Sequence, residues 1–576
     1  MRKTLFLSMI ICSLAGQNLS ARSGIKAQIN PSPATFCNPI NLNYRFMIIP
    51  DGKGVREAAD PVVTHFNGDY YLFASKSGGY WHTKDFNNWT FVPIKEPVLP
   101  IEDYAPATFI HEGYLYYAGS THGYTMLYRS NDPKSGTWEP VKKIYTYWDP
   151  AFLIEGDNLY VYYGCSPTAP ISVITIDLNK LETKAEAIDL FNSDKENRGW
   201  ERTGEFNELE RRPYIEGAWV TPHNGKYYLQ YAGPGTEWKT YADGVYIGDT
   251  PTGPFTYMNN SPVSFKPTGF IGGAGHGCLF TVDNELWKAA TNAITVQHMF
   301  ERRISLYPSG IDKAGLMYTN TYMGDYPCYL PGKEPKGKRP DWNVLSYKKP
   351  VQVSSVLESF DGSLAADEDA RTHWVAQSAD AGEWMQMDLL EPCSINAIQV
   401  NFGEYKSQLA GREQPSYQSY VLEASADGNE WSVIADKSNN KTDVPHDYIE
   451  FVKPFKARYI RLKNVAYTSA PYFAVRDLRV FGKGNGKAPQ KVTTVQARRN
   501  EVDGCKATVS WPSVAGAQGY IIRYGIAKDK LYNSIQVADA NTYNFTSLNA
   551  GVPYFFTVDA FNANGITKGA AITAID

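Results

Sequence analysis

Two aspartates, one glutamate and one histidine stand at the same place in a unit that recurs along the first half of the chain. The unit opens on one variable residue, continues as an apolar run, and turns back through a Gly, Asn or Asp pair into an aromatic strand. Carboxylates held close together can divide a proton transfer, because an ionised group accepts a proton from water while a protonated group donates one. The five variable residues are, in chain order, Asp60, Ala105, Asp149, Glu216 and His276.

These five units predict a five-bladed β-propeller. Their openings lie 44 to 67 residues apart, which is the scale of a four-stranded blade. The turn pairs, each followed by an alternating aromatic strand, are typical of hairpins. Since five blades close around an axis, equivalent positions meet there, and Ala105 shows that the fold itself needs no acid at this place. The acids therefore indicate function, although a single Asp before Pro, such as Asp60, is also a common turn opener.

The rest of the chain divides into two further β domains. The propeller is expected over residues 34–347, ending near the basic, Pro-rich stretch PGKEPKGKRPDW. Residues 348–483 contain short strands at regular spacing, which predicts a β-sandwich, and residues 488–576 predict another. The expected fold class is thus all-β, a five-bladed β-propeller followed by two β-sandwiches.

Composition excludes several classes of function. The formal net charge of −4 over 576 residues offers no basic footprint for nucleic acid. The 40 Tyr and 13 Trp suit strand packing and also the flat surfaces that sugars stack on. Residues 1–21 begin with Arg2 and Lys3 before an apolar stretch, the layout of a signal peptide, so we expect an exported protein, periplasmic or extracellular. The remaining sequence predicts no membrane span.

Seven cysteines are present, and one of them, Cys12, lies in the predicted signal peptide. The other six are scattered singly, without the paired spacing of metal ligands, so the sequence indicates neither a zinc site nor a disulfide framework. They are interpreted as small buried apolar residues.

The phrases that open the units, ADPVV, WDPAF, EGAWV and GHGCLF, together with KDFNNW, resemble glycoside hydrolase family 43. The resemblance implies a propeller that hydrolyses glycosidic bonds with inversion, mostly at terminal arabinofuranosyl or xylosyl units. It makes Asp60 the general base, Glu216 the general acid, and Asp149 the group that raises the pKa of Glu216 and orients it. Inversion needs the two catalytic carboxyls about 6.5–9.5 Å apart, with water and sugar between them.

The same resemblance implies further site residues. His276 would hold a hydrated calcium or sodium ion on the axis, with a hydrogen-bonded core histidine as the alternative. Arg303 would lie near the acid and the sugar, with a surface salt bridge as the alternative. Trp148 and Trp219 would pack on the sugar or the pocket wall, with packing between blades as the alternative for Trp219. No cofactor is required for the chemistry.

The two sandwiches also carry resemblances. THW, WMQMDL, SADGNEW and RYIRL, in this order, resemble a discoidin-like, coagulation factor type C module, whose relatives often bind carbohydrate. The last domain, which opens APQKVTTVQA and contains Trp511, resembles a fibronectin type III domain. Its expected role is that of a spacer that holds the catalytic part away from a surface.

Together these features predict an exported, exo-acting glycosidase of plant polysaccharides, with α-L-arabinofuranosidase as the leading activity. The nearest alternatives are a β-xylosidase and a galactose-releasing enzyme of the same family. A retaining, fructan-cleaving propeller is another, although its Asn-Asp-Pro-Asn and Glu-Cys signatures are replaced here by Ala-Asp-Pro-Val and Glu-Gly. A non-catalytic carbohydrate-binding protein is the alternative of another class.

Overall fold

A computed structural model describes residues 24–94, 99, 105–121 and 123–576. The predicted signal peptide lies outside these described residues. Among them, helical structure consists of short 3-10 turns: Pro133–Ser135, Gly199–Glu201, Thr321–Asp325 and Gly362–Ala365. In this part of the chain no helix has the length and apolar character that crossing a membrane would require. From residue 24 onward, three strands precede the first blade: β1 (Thr35–Phe36), β2 (Arg45–Ile48) and β3 (Gly54–Glu57).

Five antiparallel sheets follow, one for each unit predicted from the sequence. The first is β4 (Ala59–Phe66), β5 (Asp69–Ser75), β6 (Gly79–Thr83) and β7 (Thr90–Pro93). The second is β8 (Ala107–His111), β9 (Tyr114–Ala118), β10 (Tyr124–Ser130) and β11 (Glu139–Tyr145). The third is β12 (Ala151–Glu155), β13 (Asn158–Tyr163), β14 (Ile171–Asp177), β15 (Glu182–Thr183) and β16 (Ile188–Phe191). The fourth is β17 (Glu216–His223), β18 (Lys226–Gly233), β19 (Ala242–Gly248) and β20 (Phe255–Tyr257), and the fifth is β21 (Gly272–Val282), β22 (Glu285–Ala293), β23 (Arg302–Ile311) and β24 (Met317–Thr319).

The sheets form a closed ring. Their first strands, β4, β8, β12, β17 and β21, contact one another in order, and β21 contacts β4. Aromatic residues fill the space between neighbouring sheets, as where Phe73 of the first sheet lies 5.4 Å from Tyr117 of the second, measured between ring centroids. The predicted five-bladed propeller is therefore the observed architecture, and the opening residues of its blades surround one axis.

A β-sandwich follows the short strand β25 (Cys328–Tyr329). Its strands are β26 (Asn343–Val344), β27 (Val351–Val353), β28 (Trp374–Val375), β29 (Trp384–Phe402), β30 (Gln418–Ser425), β31 (Ser432–Lys437), β32 (His446–Tyr467) and β33 (Ala474–Lys483). The long strands β29 and β32 pair with each other, and β33 pairs with β29 on its other edge. This sandwich packs directly on the propeller through buried ion pairs, among them Arg56 with Glu404 at 2.6 Å.

The C-terminal domain consists of two packed sheets. One contains β34 (Gln496–Arg499), β35 (Ala507–Ser510) and β38 (Thr542–Phe545); the other contains β36 (Gly519–Gly525), β37 (Asn533–Ala538), β39 (Tyr554–Asn562), β40 (Gly565–Thr567) and β41 (Thr573–Ile575). Its core is continuous with that of the third and fourth blades, since buried residues of all three belong to one cluster. Arg202 of the propeller also pairs with Asp503 at 2.6 Å. The domain is thus packed against the propeller, and its expected role as a spacer stays a prediction.

Candidate active site

The backbone at the start of each blade turns the opening side chain toward the axis. Asp60, Ala105, Asp149 and His276 have φ of 54°, 45°, 52° and 34°, in the left-handed region that costs a non-glycine residue about 1–3 kcal/mol. In the fourth blade this conformation falls on Gly217, one residue after Glu216. Because Ala105 has the same left-handed conformation, the bend is a feature of the propeller fold and does not depend on an acidic side chain. The acids occupy positions that the fold already turns in this way.

Gly217 also makes room for a neighbour. A Cβ atom at this position would lie 2.5 Å from Cγ of His276, closer than two carbon atoms can approach. The absence of a side chain at Gly217 therefore lets the imidazole lie against the backbone beside Glu216.

Hydroxyl and thiol groups from one blade hold the opening residue of the next. Ser75 donates to Asp60 Oδ2 at 2.6 Å and accepts the backbone N–H of Ala105, also at 2.6 Å. Ser120 accepts the N–H of Asp149 at 2.9 Å. Thr291 likewise accepts the N–H of Asp60 at 2.8 Å, whereas Cys165 donates to the side chain of Glu216, at Oε2 and 3.0 Å. These bonds fix the three carboxyls relative to one another.

The sequence analysis did not select these groups. Each lies within two residues of the end of the second strand of its unit, so a small hydroxyl or thiol residue recurring at that place is the signal that would have found them.

Asp60 is kept ionised by two cationic partners. Arg302 Nη1 lies 3.6 Å from Asp60 Oδ1, and His276 Nδ1 lies 3.2 Å from the same oxygen. Burial raises the pKa of Asp60, but the charges of Arg302 and His276 and the hydrogen bond from Ser75 outweigh it, so the pKa lies below its ordinary value. An ionised carboxylate at this place can orient water and accept its proton.

The pKa of Asp149 is shifted in the opposite direction, above its ordinary value. Its pKa is raised to about 7 by burial, and further by the negative charges of Glu216 and Asp60, although His276 at 3.8 Å partly offsets them. A carboxyl oxygen of Asp149 lies within 4.8 Å of one of Glu216. With its pKa near 7, the Asp149 carboxyl still carries a proton in a substantial share of the molecules at neutral pH.

Glu216 accepts hydrogen bonds at both of its oxygens. Tyr241 donates to Oε1 at 2.5 Å and Cys165 donates to Oε2 at 3.0 Å. Burial and the charges of Asp149 and Glu216 raise the pKa of the Cys165 thiol far above its ordinary range, so the residue is a neutral donor here. Cys165, interpreted from the sequence as a small apolar residue, is therefore a polar part of the site.

His276, the predicted ligand of an axial cation, faces two carboxylates. Burial lowers its pKa, but the charges of Asp60, Asp149 and Glu216 outweigh this and raise it above its ordinary value. Nδ1 of His276 thus faces the carboxyls of Asp60 and Asp149, at 3.2 and 3.8 Å, and the predicted axial cation stays a prediction. Ligand atoms of Asp149, Cys165 and Glu216 lie within 4.8 Å of one another, a spacing that a metal ion can use, but both oxygens of Glu216 are already hydrogen-bonded.

The three carboxyls open into one cavity of about 530 Å³. Trp148, predicted to contact the sugar, lies in its wall, and so does His276. The rest of the lining consists of residues that the sequence analysis did not select as site residues. These are Cys165, Arg211, Tyr214, Gly235, Thr236, Glu237, Met299, Phe300 and Arg302. Most of them come from loops between strands, whose positions a repeat pattern does not reveal.

Two predicted sugar contacts lie elsewhere. Arg303 is fully buried and donates to His446 Nε2 of the β-sandwich at 2.9 Å, so neither the predicted site role nor the surface salt bridge holds. Its neighbour Arg302 lines the cavity instead. Trp219 packs against hydrophobic clusters of the blades, which agrees with the alternative of packing between blades.

The propeller and the β-sandwich that follows it each match a known protein family. Residues 55–309 match the family described as glycosyl hydrolases family 43, and residues 350–478 match the F5/8 type C domain. These matches confirm two of the predicted resemblances, and the three carboxyls lie within the first matched region. The fibronectin type III resemblance of the C-terminal domain stays a prediction.

Similar solved structures include one described as a glycoside hydrolase, which is 19% identical with a TM-score of 0.44 and covers 76% of this chain and 100% of its own. A xylan beta-1,4-xylosidase from Bacillus halodurans C-125 is 14% identical with a TM-score of 0.39, covering 78% and 100%. An alpha-L-arabinanase from Cellvibrio cellulosa is 17% identical with a TM-score of 0.37, covering 46% and 96%. Among curated proteins, none matches the chain significantly.

Proposed function

We propose that this chain is an exported, inverting glycoside hydrolase that releases terminal sugars from plant polysaccharide, with α-L-arabinofuranose as the leading sugar. The glycoside hydrolase family of the propeller implies a polysaccharide or oligosaccharide substrate. The single observation that carries the proposal is the convergence of Asp60, Asp149 and Glu216, from three blades, on one cavity.

Asp60 acts as the general base. Its carboxylate is ionised because of Arg302 and His276, and Ser75 fixes its Oδ2 by a hydrogen bond. Water held at the remaining lone pairs attacks the anomeric carbon from the face opposite the leaving oxygen, and Asp60 takes the proton as the carbon–oxygen bond forms. This displacement inverts the anomeric configuration.

Glu216 acts as the general acid. Glu216 delivers a proton to the leaving oxygen, so the leaving group departs as a neutral alcohol, and the neighbouring Asp149 carboxyl, whose pKa is raised to about 7, can supply that proton to Glu216. Tyr241 and Cys165 hold the carboxyl in place and stabilise the carboxylate that remains. Trp148 offers an apolar face on which the sugar ring can pack.

A panel of aryl glycosides tests the activity. The wild-type protein is incubated with p-nitrophenyl α-L-arabinofuranoside, β-D-xyloside and β-D-galactoside, and the anomer released first is identified by NMR. We expect the arabinofuranoside to be cleaved fastest and the first product to have inverted configuration. Asp60→Asn should lose about 10³-fold or more in kcat/KM, whereas Asp249→Asn, at an exposed carboxylate in the fourth blade, should retain it.

The alternatives are distinct outcomes of the same panel. Release of xylose or galactose would select the β-xylosidase or the galactose-releasing enzyme, and retained configuration would indicate the fructan-cleaving type. Binding of glycans without release of any sugar would identify a carbohydrate-binding protein. Metal analysis of chelator-treated and untreated protein tests the axial cation, and cell fractionation tests export.

A further inference from the structure

One wall of the cavity is a loop of the fifth blade that joins β22 to β23. Met299 and Phe300 of this loop line the cavity, and the Phe300 ring centroid lies 4.8 Å from the guanidinium carbon of Arg302. Since Arg302 in turn faces Asp60, the position of the loop affects both the space for the sugar and the partner of the proposed base.

Glu301 closes the loop on itself. Its backbone carbonyl accepts the N–H groups of Ile294 and Thr295 at 2.8 and 3.1 Å. Its carboxylate accepts the N–H groups of Val296 and Gln297 at Oε2, each at 3.0 Å. One side chain thus orders the segment that precedes Met299 and Phe300.

The opposite oxygen of Glu301 is bound from another domain. Arg476, on β33 of the F5/8 type C sandwich, donates from Nη2 to Glu301 Oε1 at 2.8 Å, and from Nη1 to the carbonyl of Ala370 at 2.8 Å. Both Arg476 and Glu301 are 2% exposed. Removal of one partner of such a buried pair leaves the other charge without compensation, so Glu301 depends on Arg476 for its position.

We propose that Arg476 is a positioning residue for the active-site cavity, and that the F5/8 type C sandwich completes the catalytic unit through the path Arg476, Glu301, Phe300. This role differs from that of a separately attached binding module, because the sandwich then determines the shape of the cavity. The proposal rests on the proposed function only where activity is measured; the order of the loop can be measured without a substrate.

Arg479 provides a matched control. It lies on the same strand, is fully buried, and likewise bridges to the propeller, donating to the carbonyl of Asp325 at 2.6 Å and pairing with Glu368 at 2.7 Å. Within the part of the chain that the structure describes, its hydrogen bonds go to Glu368, Cys37, Gln399 and Asp325, and none goes to Glu301. Arg479→Met therefore weakens the same interface without removing the partner of Glu301.

Hydrogen exchange on the full-length protein, read by mass spectrometry over peptides containing residues 294–301, tests the proposal. In Arg476→Met we expect the amides of Val296 and Gln297 to exchange about tenfold faster than in wild type, with a smaller increase in Arg476→Lys and none in Arg479→Met. On the aryl glycoside that wild type cleaves, Arg476→Met should raise KM more than it lowers kcat, and Arg476→Lys should restore part of the loss.

Unchanged exchange in folded Arg476→Met would overturn the proposal, as would equal loosening in Arg476→Met and Arg479→Met, which would attribute the effect to the interface as a whole. Should Arg476→Met not fold, Glu301→Gln keeps the acceptor for the loop but loses the ionic attraction to Arg476, and it should show the same faster exchange. If wild type releases no sugar, the proposed function fails while the exchange result still decides the role of Arg476.

Discussion

Arg302 and Arg303 are neighbours on β23, yet their guanidinium groups serve different domains. Arg302 Nη1 lies 3.6 Å from the Asp60 carboxylate in the cavity, whereas Arg303 Nε donates to His446 of the β-sandwich at 2.9 Å. Successive side chains of a strand point to opposite faces. Two adjacent positions of β23 therefore face different surroundings, Arg302 the active-site cavity and Arg303 the interface with the β-sandwich.

Replacement of Arg302 should therefore change the pH dependence of activity, whereas replacement of Arg303 should lower the stability of the protein. Arg302→Met removes a charge that lowers the pKa of Asp60, so this pKa rises, and the acid limb of the pH profile of kcat/KM should move to higher pH with at least about a tenfold loss at pH 6. Arg303→Met should keep the acid limb of wild type but lose stability by about 3 kcal/mol, measured by urea unfolding. Equal shifts of the acid limb in both variants would contradict this division.

Glu216→Gln should lose activity in proportion to the need for a proton on the leaving group. On an oligosaccharide, whose leaving alcohol must be protonated, we expect a loss of about 10²–10⁴-fold in kcat. On a 2,4-dinitrophenyl glycoside, whose leaving group departs as an anion, the loss should be less than about tenfold. The ratio of the two rates is the measurement, and an equal loss on both substrates would exclude Glu216 as the acid.

Asp149→Asn should stabilise the protein while it impairs catalysis. The folded-state pKa of Asp149 is raised from 3.8 to about 7, so the native state binds a proton that the unfolded state has released, and wild-type stability falls as pH rises between these values. The asparagine amide has no charge to bury, so its stability does not fall over this pH range, and its oxygen can still accept the hydrogen bond from Ser120.

The gain in free energy of unfolding should begin near pH 4 and level off above about pH 7, where roughly 2–4 kcal/mol is expected. Urea unfolding at pH 4 and pH 8 measures it, with Asp249→Asn as the control that changes stability at neither pH. A variant that is less stable than wild type at pH 8 would show that Asp149 is bound more strongly as an anion than its surroundings indicate.

Cys165 should resist alkylation although it lines an open cavity. Burial and the charges of Asp149 and Glu216 raise the pKa of its thiol, and iodoacetamide reacts with the thiolate. We expect little modification at pH 8 by mass spectrometry, and faster modification in Glu216→Gln because one of the charges is removed. Rapid alkylation of the wild-type residue would mean that the carboxyls are not both close to it.

The two hydrogen-bond donors to Glu216 could not be predicted from the repeat pattern of the sequence. Cys165 reads as one of several isolated cysteines in the sequence, and its partner Glu216 is 51 positions away. Tyr241, the other donor to Glu216, immediately precedes β19 and is one of 40 tyrosines, so the sequence does not distinguish it from the others. Contacts of this kind depend on how the blades are packed, which local patterns do not specify.

The sequence by itself determined the ring of five blades and the three carboxyls around its axis, because turn pairs and alternating strands are local signals and their repetition places equivalent residues at one centre. It also predicted the sandwich over residues 348–483, of which residues 350–478 match the F5/8 type C domain. Only the tertiary structure decided that Arg302 and not Arg303 faces Asp60, that Asp149 has a raised pKa, and that both sandwiches pack on the propeller. These features depend on strand faces, burial and charges contributed by residues far apart in the chain, so no segment of the sequence contains them.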